Sequence, residues 1–249
     1  MIGALYQTII YRPLVNALIF LYNTVAFEDL GIAIILLTLI VRFALYPLFH
    51  KQLHHNAKLQ ALQPKLKKIK EEHKNNREKE IEATMALFAE QGTNPFMAIF
   101  LSFAQLPVVL ALYHLFSRGL HESYVAQLYS FVHAPAALHW TLFGLINLAE
   151  PNKIVIALTA LVQYFQGLTA LPRPENPQML TVEEKAARRN VLIIPLVITT
   201  LFWWLKIPTA VGVYWIVSAL FSIAQQRLIR AREDKTSNER TATIYQSTR

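Results

Sequence analysis

The chain has 249 residues, 54% of them hydrophobic and 16% charged, with 24 Lys+Arg against 16 Asp+Glu and a net charge of +8. A soluble domain carries about 25% charged residues; here the charges gather between long apolar runs, which excludes an ordinary soluble domain and indicates a polytopic helical membrane protein. The absence of cysteine also excludes disulfides, thiolate metal sites and a cysteine nucleophile.

Residues 1–29 carry no basic residue before Arg12, so they lack the charged start of a signal peptide. Arg12, Pro13, Asn16 and Asn23 interrupt the apolar run too often for a comfortable span. The segment is predicted as an amphipathic helix lying in the outer membrane interface rather than as a sixth span. Residues 30–49 form the first predicted span. It contains Arg42, and a charge in mid-bilayer is costly and generally functional.

Residues 50–94 are polar. Leu59, Leu62, Leu66 and Ile69 repeat at three- and four-residue spacing, Asn75-Asn76 breaks the pattern, and Ile81, Met85 and Phe88 resume it. This predicts a cytoplasmic helical hairpin. Its seam is too narrow and short for a rigid independent domain, so the hairpin is expected to be mobile.

The second predicted span is 95–117, followed by an extracytoplasmic loop at 118–153. The third span is 154–171, a cytoplasmic loop is 172–190, and the fourth and fifth spans are 191–205 and 209–225. The fourth is short, about 22 Å at 1.5 Å per residue. Residues 226–249 are read as a basic, disordered cytoplasmic tail. With seven glycines and no G-x-x-x-G, the spans are expected to pack loosely.

Orientation follows from the basic residues. The segment between spans one and two holds nine Lys/Arg, the loop before span four holds four and the tail six, whereas Arg12, Arg118, Lys153 and Lys206 are spread over the other side. The positive-inside rule places the N-terminus outside and the C-terminus in the cytoplasm.

Chemistry is sparse. His50 and His54 have the spacing of a helical metal pair but no third ligand, and there is no G-x-S-x-G or phosphate-cradling glycine cluster. No cofactor or metal is expected. The polar residues inside the spans are Thr38, one turn before Arg42, then Gln105, Gln163 and Gln166, Thr199 and Thr200, and Tyr214, Trp215 and Ser218. No span contains an acidic residue. Arg42 is therefore expected in a water-accessible pocket open to the cytoplasm, lined by Gln105, Gln163 and Trp215.

Several of these stretches resemble the YidC/Oxa/Alb family of membrane protein insertases. "TLIVRFALYPL" is similar to the family's first core span with its buried arginine, and "KLQALQPKLKKIKE" to its cytoplasmic hairpin. "GTNPFMAIFLSFAQLPVVLALYHLF" is similar to the second span and "KIPTAVGVYWIVSALFSIAQQRLI" to the last, with its Gln-Gln end. The resemblance covers nearly the whole chain, in order. It implies an all-α fold of five transmembrane helices around a hydrophilic groove open to cytoplasm and lipid. It also implies a non-enzymatic insertase and chaperone for newly made membrane proteins, acting alone or with the SecYEG translocon in a bacterial plasma membrane.

Carried over residue by residue, the substrate groove falls on Arg42, Thr38, Gln105, Tyr214, Trp215 and either Gln163 or Gln166, with Gln163 preferred. The expected partners are nascent membrane proteins, SecYEG, membrane lipids and the ribosome. Ribosome contact is expected to be weak or transient, because the tail is shorter than in members that bind ribosomes strongly. A monomer is expected. The rival reading of the residues alone is a small anion transporter or channel with Arg42 as its selectivity charge; an intramembrane enzyme has no candidate nucleophile.

Overall fold

The computed structural model describes residues 5–94, 97, 106–117, 122–171 and 182–247. A π-helical turn, Gln7–Tyr11, leads into α1, Arg12–Thr24. Pro13 follows this π-helical turn, at the start of α1. One face of α1, with Val15, Leu18, Ile19 and Tyr22, is buried against α2, Leu30–Ala44. Asp29 caps α2 by accepting a hydrogen bond from Ile32 N at 2.9 Å.

The apolar run predicted as one span at 30–49 is broken. After Leu45 the chain continues as α3, Tyr46–Glu72, bent by 69° from α2. Pro47 explains the break: it has no N–H for the Phe43 carbonyl, and the backbone leaves helical geometry at Leu45, with φ −92° and ψ 10°. The hairpin consequently begins at Tyr46 rather than at residue 50, and α4, Arg77–Glu90, completes it.

Leu62, Leu87 and Phe88 form the buried centre of this hairpin, with Leu59, Leu66 and Ile69 packed against them. The α3 side of the predicted seam is therefore found, but Ile81 and Met85 are exposed. The inner face of α4 runs through Ala83, Thr84, Leu87 and Phe88, which lies about a hundred degrees round the helix from Ile81 and Met85.

The remaining helices are α5, Leu106–Ser117; α6, Lys153–Ala170; α7, Val182–Trp204; and α8, Thr209–Ser247. α7 begins nine residues before the predicted fourth span (182 against 191), so that part of the 172–190 loop is helical. α8 continues as helix through residues read as a disordered tail. Among the described residues, Thr209–Ile229 is long and apolar enough to cross a membrane alone, and α2 is so when counted with Tyr46–Gln52; Leu106–Phe116, Lys153–Thr169 and Ile193–Trp204 are apolar but shorter.

The expectation of loose packing fails between α6 and α8. A Cβ on Gly212 would lie 3.0 Å from Val155 Cγ1 and 3.4 Å from Thr159 Oγ1, so one glycine brings the two helices close without a G-x-x-x-G.

The described part of the 118–153 connection, residues 122–152, is ordered by α1. Arg12 Nε and Asn16 Nδ2 donate to Gln127 O at 2.9 and 3.0 Å, and Tyr129 N donates to Asn16 Oδ1 at 2.6 Å. Tyr22 Oη donates to Ala137 O and accepts from His139 N, and Asn23 Nδ2 donates to His133 O. The polar residues that argued against a span are the ones that hold this connection. Within it, β1, Thr141–Leu142, pairs antiparallel with β2, Ile146–Asn147. Leu142 lies on Gly31, where an added Cβ would sit 2.8 Å from the Leu142 Cα. Gly31→Ala is therefore expected to cost about 1–3 kcal/mol, read as a lower melting temperature in detergent; an unchanged melting temperature would refute the close approach.

Candidate functional site

Arg42 occupies the last turn of α2 and is only 4% exposed. Its position at a helix C-terminus, the negative end of the macrodipole, offsets part of the cost of burying its charge. Nη1 donates to Ser222 Oγ on α8 at 3.3 Å, and Ser222 Oγ donates in turn to Ser218 O at 3.0 Å. The guanidinium carbon lies 4.2 Å from the centre of the Phe49 ring, a cation–π contact of about 0.5–2 kcal/mol. Phe49 follows the break at Leu45, so the bend between α2 and α3 is what folds this ring back over the arginine.

The other predicted site residues are placed as follows. Thr38 is buried and its Oγ1 donates to Ile34 O of its own helix at 2.6 Å, so its proton serves the backbone. Tyr214 on α8 is buried and lies near Arg42. Trp215 is half-buried and stacks on Phe202 of α7 at 4.5 Å between ring centres. Gln163 and Gln166 on α6 are both half-buried, and Gln163 Nε2 is buried. Gln105 lies outside the described residues.

Arg42 and Tyr214 thus belong to the α2–α8 contact, together with Ser218 and Ser222, and Thr38 lies one turn before Arg42 on α2. Ser222, Phe49, Gln225 and Gln226 had no part in the predicted site. A signal for Ser222 existed in the spacing of Tyr214, Ser218, Ser222 and Gln226, four residues apart, which aligns polar groups on one helix face. Phe49 had none, because its position depends on the bend. Among the described residues no group of three His, Cys, Asp or Glu is placed to hold a metal, and His50 stacks on Tyr46 at 5.8 Å.

The outer faces of the later helices are apolar. Ile154, Leu158, Leu161 and Phe165 form an exposed stripe on α6, and Ile193, Val197, Leu201 and Trp204 are exposed on α7. Exposed apolar area on this scale marks a membrane or protein contact rather than a solvated surface.

A family model described as 60Kd inner membrane protein matches residues 20–236. This chain belongs to the 60Kd inner membrane protein family. It is therefore a helical membrane protein, and the apolar outer faces of α6 and α7 are accounted for. Similar members of the family include the membrane protein insertase YidC of Tolumonas auensis, 32% identical over 231 residues, which are 92% of this chain and 38% of the relative. The membrane protein insertase YidC 2 of Bacillus anthracis is 30% identical over 216 residues, 84% of this chain and 75% of the relative. The membrane protein insertase MisCA of Bacillus subtilis is 30% identical over 218 residues, 85% of this chain and 74% of the relative. The chain thus spans well under half of the Tolumonas relative and about three quarters of each Bacillus one.

Proposed function

We propose that this protein is a membrane protein insertase of the bacterial plasma membrane. Its relatives' shared name supports the activity. The observation that carries the mechanism is a buried arginine, on an otherwise apolar helix, facing the polar side of α8. In this reading five spans surround a groove open to the cytoplasm and to lipid. The N-terminus, α1 and the 118–153 connection lie outside, and the hairpin and tail lie in the cytoplasm, a reading supported by the distribution of basic residues.

A hydrophilic segment of a nascent client enters the groove, where Arg42 and the polar face of α8 replace part of its lost hydration. The adjoining apolar segment of the client then moves into lipid. Its burial drives the step at roughly 25 cal/mol per Å², while the groove lowers the barrier. The α1–connection network would close the outer end of this path. SecYEG and the ribosome fit the reading as partners, through lateral access to the groove and through the basic hairpin and tail respectively.

The test is a photoreactive amino acid at position 42, in membranes carrying a stalled nascent single-span protein. Crosslinks to the client's hydrophilic flank, weakening once the chain is released, are expected. Crosslinks to lipid alone would refute the groove.

A further inference from the structure

Along α8 the buried polar residues Tyr214, Ser218, Ser222 and Gln226 form one face, and Gln225 lies beside the last of them. Gln225 stands out. It is 2% exposed, and neither its Oε1 nor its Nε2 has a hydrogen-bond partner among the described residues. Gln226 Oε1 is in the same condition. A buried amide left unpaired is costly, whereas an apolar side chain of equal volume would be nearly neutral. Packing alone therefore gives no reason for glutamine here.

The chemistry of the vacant groups identifies what they fit. A carboxamide offers an acceptor and donors side by side, the same pair that a peptide group presents. Gln225 is one helical turn beyond Ser222, which holds Arg42. A hydrophilic client segment beside Arg42 has left bulk water, and its own main-chain groups then also need partners. We propose that Gln225 is a main-chain docking position, pairing its carboxamide with a peptide group of the extended client segment held beside Arg42. This rests on the insertase reading. It divides the labour: Arg42 responds to the client's charge, and Gln225 to the backbone that every client shares.

The test uses the full chain in proteoliposomes and two single-span clients, one with an acidic and one with an uncharged N-terminal tail. Gln225→Met preserves volume and removes the amide. Its melting temperature is expected to equal or exceed that of the wild type, while insertion of both clients slows about five- to tenfold. Wild-type insertion rates for both would overturn the proposal. A measurement on the wild type alone stands whether or not the variant folds: synthetic clients carry a single backbone ester at successive tail positions, each removing one N–H. Severalfold slowing confined to one or two positions is expected, and a flat profile would overturn the docking position. If the wild type inserts neither amide client, it is the insertase reading that fails.

Discussion

Arg42→Ala is expected to slow insertion of clients with acidic N-terminal tails by about ten- to a hundredfold, the worth of one or two charge-assisted hydrogen bonds. Uncharged tails should be affected far less. The expectation follows from the burial of Arg42 and from its contacts with a serine hydroxyl and an aromatic face, which orient the guanidinium. The fold should survive, because the desolvation cost of a buried charge disappears with the side chain and offsets part of the packing that is lost; a detergent melting curve checks this. Arg42→Lys keeps the charge but loses the planar stack on Phe49, so it should largely retain insertion of acidic tails. Equal insertion of acidic-tailed clients by wild type and Arg42→Ala would sink the electrostatic role of Arg42 and leave the family assignment untouched.

Deletion of the hairpin from Gln52 to Gln91, with a short Gly/Ser linker in its place, is expected to abolish insertion and leave the remaining helices folded. The second half of this expectation is structural. The hairpin has its own small cluster around Leu62, Leu87 and Phe88, separate from the main core built by α1, α2, α5 and α8. Phe49, which covers Arg42, precedes the deletion and stays in place. Loss of insertion is expected because α3 leaves the Arg42 site directly through the bend at Leu45, which puts the basic hairpin at the proposed entrance. A deletion protein with full insertion activity would show that the hairpin has no part in client delivery. One that fails to melt cooperatively would show that the two clusters are coupled.

The sequence by itself determined the class of this protein and the oddity at its centre. Apolar runs separated by charged segments are a local property, so the apolar helices, the hairpin seam on α3 and the unusual placement of Arg42 were all legible. Element ends were not: Pro47 lies inside 30–49, but hydropathy along the run does not register the turn of the helix there. Partners were decided by the tertiary structure alone. Ser222 meets Arg42 across 180 residues, and Asn16 meets Gln127 across 111; no periodicity along the chain can specify such a pairing, because it depends on which helix faces are pressed together. The same distinction explains Arg12, Asn16 and Asn23. In sequence they were interruptions of an apolar run, a reason against a span. In the folded chain they bind the backbone of a distant connection, because its carbonyls have no regular secondary structure to pair them and α1 is the helix packed close enough to supply donors.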